Sequence, residues 1–232
     1  QSRSTKVNAK LTKENLANAM AVEWNGYLVM VIDDRAYIAD SRQKAWDQNA
    51  TNTFEYEWYY WDNIPANCLM ETKGSLFFGT TDGKLCRFNT DLLNPDTGEY
   101  LMTAYNDNGQ AITAYWTTPK SDEGSYMTYK TMTKKGGGVY LKAFTRSSAK
   151  VTAITDNDFG KVIKSVSAGI FDFTDLDFSN FTFNTLPQNV IPFNTKIKKY
   201  KTIQIEVRND RLNEGFGLFS IERRFTYGQF VK

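Results

Sequence analysis

Two groups of acidic residues have the spacing of side chains that do chemistry in other proteins. In the first, Asp156 and Asp158 in "TDNDFG" (Thr155–Gly160) are placed like the first two oxygen ligands of a calcium loop. The glutamate that completes such a loop is missing downstream. A plain hairpin turn is therefore the favoured interpretation, and no metal site is predicted.

The second group is Glu55, Glu57 and Asp62, which lie among tryptophans and tyrosines in "EYEWYYWD". Paired carboxylates beside aromatic rings are typical of glycosidases. Glu55 and Glu57, however, share one face of a strand and would repel each other if both were buried, so solvent-facing carboxylates are favoured. A propeller hydrolase is disfavoured further, because "TTDG" (Thr80–Gly83) lacks the tryptophan that ends the Ser-x-Asp-x-Gly-x-x-Trp turns of sialidase-type propellers.

The composition removes several other kinds of catalytic site. The chain contains no histidine, which excludes Ser-His and Cys-His nucleophile pairs and disfavours most zinc and iron sites. "KKGGG" (Lys134–Gly138) is not a phosphate loop, because it lacks the Gly-Lys-Ser/Thr ending and a following helix. No catalytic, cofactor-binding or metal-binding residue is predicted, and the chain is predicted not to be an enzyme.

The two cysteines, Cys68 and Cys86, each fall in a predicted strand, with a third predicted strand (Ser75–Thr80) between them. If the three strands pair in order, the sulfurs are separated by two strand spacings, roughly 9 to 10 Å. That distance is beyond the reach of a disulfide. The pattern predicts two reduced, buried thiols, as in a protein made in a reducing compartment.

Four consecutive aromatic residues form the first candidate interface: Trp58, Tyr59, Tyr60 and Trp61. Neighbours on a strand point to opposite faces, so the four rings cannot all enter one core. Some of them are expected to cover a neighbouring part of the fold or a partner subunit.

The second candidate interface is the basic cluster "KIKKYK", with Lys196, Lys198, Lys199 and Lys201. On a regular strand these lysines spread over both faces, which disfavours a stripe for phosphates. A solvated edge strand protected by lysine is the favoured interpretation. A docking surface for an acidic partner is the alternative.

The overall composition is that of a globular protein. The 232 residues are 41% hydrophobic and 23% charged, and the net charge of +2 is too small to favour nucleic acid or an anionic membrane as the main partner. The longest apolar run, Tyr27–Ile32, is far too short to span a membrane. No secretory leader is visible, and Gln1 in place of methionine predicts a piece of a longer or processed polypeptide.

The N-terminal half contains a repeat, in which Met20–Asp40 can be laid over Cys68–Asp91. Each copy has a strand, a Gly-containing turn (Asn25-Gly26 or Lys73-Gly74), a hydrophobic strand, an acidic turn and a third strand. Such a unit, repeating every 40 to 50 residues or so, is typical of a β-propeller blade. About two repeats are present, which predicts a partial propeller.

Beyond two turn-rich stretches, at residues 94–100 and 106–110, the hydrophobic period is mostly two. In "KTIQIEVRN", for example, Ile203, Ile205 and Val207 share one face. The whole chain is therefore predicted to be all-β: residues 1–19 a linker or short helix capped by Thr12, residues 20–106 β-propeller-like meanders, and residues 107–232 an antiparallel β-sandwich.

The stretch "FDFTDLDFSNFTFN" (Phe171–Asn184) places phenylalanines at alternating positions with polar residues between them. This alternation favours a core strand whose aspartates act as gatekeepers against edge-to-edge pairing. An aromatic platform for a ligand is the alternative.

Taken in order, five segments resemble one class of protein: "EWNGYLVMVIDDRAYIADSR", "WDNIPANCLMETKGSLFFGTTDGKLCRF", "DNGQAITAYWTTP", "FSNFTF" and "KKYKTIQIEVRNDRLNEGFGLFSIERRFTYGQFVK". The chain from Met20 to Lys232 resembles the C-terminal part of bacteriophage virion structural proteins that carry a β-propeller followed by a β-sandwich. Such proteins occur in tails, tail hubs and head-to-tail connectors.

The resemblance implies a non-enzymatic assembly role without a cofactor, in a parent chain that is longer. It implies other virion proteins and copies of the same chain as partners, and a location in the virion after synthesis in the host bacterial cytoplasm. The alternative function is a module that binds host-surface glycan. Specific nucleic-acid binding and membrane insertion are not expected.

Overall fold

The structure is a computed structural model. It describes residues 4, 6–46, 54–89, 92–98, 101–134, 137–141, 147–156, 160–168, 190–193 and 195–231. The phenylalanine-rich stretch Phe171–Asn184 and Asp158 lie outside the described residues, so the interpretations given for them stay predictions.

The protein is all-β, as predicted, and every strand pairing in the described residues is antiparallel. The helical elements described are short: α1 (Asn8–Leu11) and two 3-10 helices (Leu16–Asn18 and Met102–Ala104). The chain divides into two compact units, Gln1–Thr90 (unit 1) and Asp91–Lys232 (unit 2). The division lies N-terminal to the boundary that the turn signals predict at residue 106.

Unit 1 consists of two meanders. The first is a four-stranded sheet in the order β1-β2-β3-β4, with bounds Met20–Trp24, Tyr27–Ile32, Arg35–Trp46 and Phe54–Trp61. The second is a three-stranded sheet in the order β5-β6-β7, with bounds Ala66–Thr72, Ser75–Thr80 and Leu85–Arg87.

Two-residue turns explain why these strands pair in sequence order. Asn25 and Gly26 have φ of 50° and 81°, and Lys73 and Gly74 have φ of 49° and 78°. A two-residue hairpin whose central residues both have positive φ matches the twist of the strands that it joins. The Gly-containing turns therefore close β1 onto β2 and β5 onto β6.

One hydrophobic core serves both meanders. In the first sheet, Val29 lies opposite Ile38 and Val31 opposite Ala36, so the four side chains share one face. They form a single buried cluster with three residues from β6 and from the segment around the start of β5: Ile64, Ala66 and Leu76. Burial of this face stabilises unit 1, since each larger side chain, such as Val29, Val31 or Ile38, contributes about 1.5 to 3 kcal/mol of transfer free energy.

Strand β6 lies between β5 and β7, as the cysteine analysis predicts, and both thiols are free. The prediction that both are buried is wrong. A register shift just before Cys68 turns its side chain to the outer face, where it is exposed opposite Gly79. Cys86 is half-buried opposite Phe78, on the inner face. The thiols thus point to opposite sides of the sheet, a second reason why they cannot form a disulfide.

The N-terminal helix also differs from the prediction. Thr12 follows the last residue of α1, and its hydroxyl donates a hydrogen bond to the carbonyl oxygen of Asn8 (2.9 Å). Asn15 instead caps the first 3-10 helix, accepting a hydrogen bond from the backbone N–H of Ala17 (3.2 Å). Thr12 therefore ends a helix rather than beginning one.

Unit 2 contains ten described strands: β8 Ala114–Thr117, β9 Thr128–Met132, β10 Gly138–Leu141, β11 Ser147–Thr155, β12 Gly160–Ala168, β13 Val190–Pro192, β14 Ile197–Tyr200, β15 Ile203–Asn209, β16 Leu218–Glu222 and β17 Phe225–Phe230. They form three sheets in the orders β12-β11-β15-β8, β13-β10-β16 and β14-β9-β17. In the described part of unit 2, β11 and β12 are the one pair of hydrogen-bonded strands that are also consecutive along the chain.

The core of unit 2 is supplied by all three sheets. The predicted inward face of β15 is confirmed, because Ile203, Ile205 and Val207 are fully buried and alternate with half-buried residues. They form one cluster with residues that include Met132 of β9 and Val139 of β10. The layers of unit 2 therefore meet at one hydrophobic centre.

Candidate functional site

The four aromatic residues of the first candidate interface lie on β4, which ends the four-stranded sheet in the described part of the chain. Tyr59 is opposite Ile38, so Tyr59 and Trp61 lie on the core side of the sheet. Trp58 and Tyr60 lie on the other side. The strand thus divides the four rings into two pairs with different surroundings.

The core-side pair is only partly covered. Tyr59 is 43% exposed and Trp61 is 42% exposed, because β4 is at the rim of the sheet and the core does not extend fully beneath it. The ring of Trp61 packs against the ring of Phe88, which follows β7, with the two ring centroids 5.7 Å apart. We call Tyr59 and Trp61 the aromatic edge of unit 1.

Tyr60, of the opposite pair, makes contacts within unit 1. Tyr60 packs edge-on against Tyr37 (ring centroids 5.3 Å apart), and the ammonium of Lys10 lies 3.6 Å from the centroid of the Tyr60 ring. Glu14 accepts hydrogen bonds from the Tyr37 hydroxyl (2.6 Å) and from Arg35 (2.9 Å). Burial, and then Glu14, raise the pKa of Tyr37 above its ordinary range. These contacts fasten the N-terminal segment over this side of the sheet.

Two carboxylates near β4, Asp40 and Glu57, are paired with cations. Asp40 is buried and accepts two hydrogen bonds from the Arg42 guanidinium (2.9 and 3.1 Å) and one from the Arg42 backbone N–H (3.0 Å). These bonds to Arg42 hold the pKa of Asp40 below its ordinary value. Glu57, opposite Asp40 in the register, accepts a hydrogen bond from Lys6 (2.7 Å). The arrangement is one of ion pairs rather than of an acid and a base with separated roles.

The acidic turn near Asp156 has a structural partner. The Asp156 carboxylate accepts a hydrogen bond from the backbone N–H of Lys201 (2.8 Å), which ties the end of β11 to the start of β15. Within the described ranges, no three or more His, Cys, Asp or Glu side chains are grouped so that they could hold a metal ion.

The basic cluster lies on β14, an edge strand paired with β9. The expectation that its lysines spread over both faces is wrong. A bulge, with Lys199 at φ 54°, lets Ile197 and Tyr200 both enter the core. Lys198 and Lys199 are therefore both exposed on the solvent side. An extra residue in one strand of a pair has this effect because it shifts the alternation by one position.

The other two lysines flank the bulge. Lys196 is exposed, whereas Lys201 is half-buried with its ammonium 5.8 Å from the centroid of the Tyr126 ring. The structure therefore brings Lys196, Lys198 and Lys199 to the solvent, while Lys201 packs along an aromatic side chain.

A buried polar cluster in unit 2 was not found from the sequence. Glu123 is almost completely buried and accepts hydrogen bonds from Arg223 Nε (2.6 Å) and from the Tyr200 hydroxyl (2.8 Å). The Tyr227 hydroxyl donates to the Glu123 carbonyl oxygen (2.6 Å). Burial, and then Glu123, raise the pKa of Tyr200 above its ordinary range. The partners are far apart in the sequence, so no local pattern announces the cluster.

Exposed aromatic side chains on the C-terminal strands were also missed. Strand β17 ends the sheet β14-β9-β17, and it carries Tyr227 and Phe230, the latter 76% exposed. Phe219 on the edge strand β16 is exposed as well. The segment "RFTYGQF" shows aromatics that do not keep a period of two, and this was the available signal.

A groove of about 680 Å³ lies in unit 2 where three edge strands, β8, β16 and β17, come together. Trp116, Ile221 and Phe225, one from each strand, line it. Each lies directly opposite a buried core residue of the neighbouring strand: Val207, Val139 and Met132, respectively. The groove is thus an open mouth of the unit 2 core, bordered by polar side chains.

The described helices are all short, and none is long and apolar enough to cross a membrane.

The described surface offers three features for interaction: the aromatic edge of unit 1, the lysine bulge of β14, and the C-terminal edge strands with their groove. Neither a protein-family model nor a curated protein sequence matches the chain.

Proposed function

We propose that the chain is a non-enzymatic structural component of a bacteriophage virion, in the tail, the tail hub or the connector, that acts through protein–protein assembly contacts. Its partners are other virion proteins and further copies of itself. The observation that carries the assembly role is the exposure of aromatic side chains on edge strands, Tyr59 and Trp61 on β4 and Tyr227 and Phe230 on β17. The virion location rests on the sequence resemblance.

Edge strands favour assembly because their outer N–H and C=O groups can pair with another chain. Proteins usually protect such strands with lysine, proline or bulges. Strand β14 has this protection, with its bulge and exposed lysines. Strand β17, "FTYGQF", carries no charged residue. The contrast within one sheet supports a role for β17 in binding another chain.

The exposed aromatic side chains also favour an assembly role, since large aromatic residues supply much of the binding energy at protein interfaces.

In this proposal the two meanders of unit 1 are propeller blades and unit 2 is a β-sandwich. A propeller needs at least four blades, so the remaining ones come from a longer parent chain or from other copies. The aromatic edge at β4 is where a further blade would pack.

Light scattering over a range of concentrations tests the assembly role. Wild-type protein is expected to form multimers of the 26.5 kDa chain. The double variant Tyr59→Ser/Trp61→Ser, and separately Phe230→Ser, are expected to weaken this association with little loss of thermal stability. The matched variant Trp58→Ser/Tyr60→Ser should do the reverse, because Tyr60 packs inside unit 1. Wild-type protein that stays monomeric at every concentration would refute assembly through its own copies, and with it a propeller completed by those copies.

The virion location needs a separate experiment. Phage particles released by the bacterium that encodes the chain are purified, and their proteins are quantified by mass spectrometry. Peptides of this chain at a fixed whole-number ratio to the capsid or tail proteins are the expected result. Their absence from particles that contain all other structural proteins would overturn the location, while leaving the assembly result intact.

A further inference from the structure

The outer edge of β17 exposes backbone hydrogen-bonding groups in a regular order. The N–H of Thr133 donates to the carbonyl oxygen of Arg224 (2.8 Å), so Arg224 directs its backbone toward β9. Antiparallel pairs alternate between hydrogen-bonded and non-hydrogen-bonded positions, so Thr226, two residues later, also faces β9. Phe225 and Tyr227 turn their N–H and C=O groups to the other side, where no described strand pairs with them. These groups are ready to pair with a strand of another chain.

A bulge sets the position at which such a strand can pair. The register between β17 and β9 shifts between Tyr227 and Phe230, where β17 has one residue more than β9. A bulge of this kind interrupts the regular spacing of the backbone groups along a strand. The regular part of the outer edge therefore runs from Phe225 to Tyr227, and a strand that uses both of these residues is centred on Thr226.

The side chains at this edge suit a second copy of the same strand. In an antiparallel self-pairing centred on Thr226, Phe225 lies opposite Tyr227 of the second copy, and Thr226 lies opposite its own counterpart. Aromatic pairs and threonine pairs are favourable across strands. Arg224 lies opposite Gly228 of the second copy, and β17 itself has no charged residue, so no like charges meet.

The groove beside β17 supplies apolar surface for the same contact. Phe225 lies on the core side of β17, opposite fully buried Met132, and the groove extends from it to Trp116, which is 47% exposed. An added strand continues the sheet β14-β9-β17 past this opening, with Tyr227 of the second copy on the groove side. A two-fold axis brings the grooves of the two copies together, so the apolar walls of both are removed from water.

We propose that two copies of the chain pair through β17, antiparallel about a two-fold axis at Thr226, and form one continuous six-stranded sheet. This inference rests on the proposed function, because it names the partner and the register of the assembly contact at β17. A contact of one strand with its own copy is closed by its symmetry and yields a dimer. Growth beyond the dimer uses other surfaces, such as the aromatic edge of unit 1.

Cysteine cross-linking of the full chain tests the register. The background variant Cys68→Ser/Cys86→Ser removes both natural thiols. Thr226→Cys is added to it, since residues directly opposite at a non-hydrogen-bonded position have Cα atoms about 4.5 Å apart, within the range of a disulfide. The matched control is Arg224→Cys, also exposed, whose Cα in this register is about 14 Å from its counterpart. Under mild oxidation, we expect Thr226→Cys to give a covalent dimer and Arg224→Cys to stay monomeric on a non-reducing gel.

Sedimentation equilibrium tests the same contact without a cross-link. Thr226→Lys places two positive charges opposite each other at the two-fold axis and should weaken the dimer at least about tenfold. Thr226→Val keeps a β-branched side chain of similar size and should retain the dimer. Thr226 is exposed, so both variants should fold as the wild type does, which circular dichroism checks.

Two results would overturn the pairing while leaving the assembly role intact. One is wild-type self-association that persists unchanged in folded Thr226→Lys. The other is cross-linking of Arg224→Cys that is as efficient as that of Thr226→Cys, which would place a different register or surface at the contact. Failure of assembly through copies of the chain has a distinct signature, since the wild type itself would then remain monomeric in the same sedimentation experiment.

Discussion

The two units differ in how far along the chain a strand finds its partner. In unit 1 each sheet runs in sequence order, β1-β2-β3-β4 and β5-β6-β7. In unit 2 the sheets join distant strands, as when β10 lies between β13 and β16 or β9 lies between β14 and β17. Unit 1 is therefore built mainly from local hairpins, whereas unit 2 forms only when separate parts of the chain meet.

The polar contacts follow the same division. The buried carboxylate of unit 1, Asp40, is neutralised by Arg42, two residues along the same strand. The buried carboxylate of unit 2, Glu123, is neutralised by Arg223, 100 residues away, and accepts a hydrogen bond from Tyr200, 77 residues away. A local ion pair accompanies a strand that already exists, but a distant one helps to hold separate strands together.

The largest expected consequence is kinetic. Because local pairing needs little loop closure, the amides of β1–β3 should become protected at least about tenfold sooner during refolding than those of β10 and β16. Pulsed hydrogen exchange read out by NMR measures both sets in one experiment. Simultaneous protection of the two sets would show that the distinction in strand order has no effect on folding.

Loss of the long-range cluster should cost the most stability. Glu123→Gln leaves Arg223, whose side chain is only 19% exposed, without its counter-charge, and removal of one partner of a buried pair costs about 3 to 5 kcal/mol. Urea unfolding, followed by far-ultraviolet circular dichroism, measures the change. The control is Asp82→Asn, which removes an exposed pair with Lys84 (2.7 Å) and should leave stability unchanged within error. Similar losses in both variants would contradict the role given to the cluster.

The ion pair between Asp40 and Arg42 should affect how the stability of the protein depends on pH. Its hydrogen bonds from Arg42 lower the folded-state pKa of Asp40, so the stabilisation is present above about pH 4 and is lost as the pH falls through the lower folded-state value. Asp40→Asn should reduce stability at neutral pH and flatten the acid limb of the profile. Thermal melts at roughly even pH steps between pH 2 and pH 7 measure how the stability of each variant depends on pH.

Arg42→Gln serves as the partner test for the same pair. It should flatten the acid limb as Asp40→Asn does, and the double variant should add little, because the two residues act as one unit. An unchanged acid limb in Arg42→Gln would mean that the pair does not set the pH dependence.

The smallest effect concerns the bulge in β14. Lys199 has φ 54°, a conformation that costs a side chain with a Cβ about 1 kcal/mol, so Lys199→Gly should stabilise the chain by up to about that amount. Lys198→Gly, one residue earlier, should instead destabilise it by about 0.5 to 1 kcal/mol. Chemical denaturation measures the change in the free energy of unfolding of each variant. A change of the same sign in both would exclude relief of backbone strain at Lys199.

Local features were predictable from the sequence. The Asn25-Gly26 and Lys73-Gly74 turns, the order β5-β6-β7 and the inward face of Ile203, Ile205 and Val207 all follow from short-range pattern, and the structure has them. These signals depend on a few neighbouring residues, whose φ preferences and alternation act whatever the rest of the chain does.

The errors at Cys68 and in the lysine cluster, and the omissions in unit 2, arise from strand pairing. Cys68 and Lys199 each follow or occupy a register shift, and one extra residue reverses which face a side chain occupies. No local pattern marked either shift. The Glu123 cluster and the groove beside Trp116 were missed because each needs residues from separate strands of unit 2, whose pairing the alternation does not specify.

By itself, the sequence determined the all-β class, the local hairpins and the absence of histidine chemistry, because turn propensity, period and composition are properties of short segments. Only the tertiary structure decided which strands became edges, where the bulges turned lysine and cysteine side chains outward, and which side chains line the groove. Those outcomes depend on pairing across long stretches of chain, where the free energy of a shared core, rather than any local preference, selects the partner.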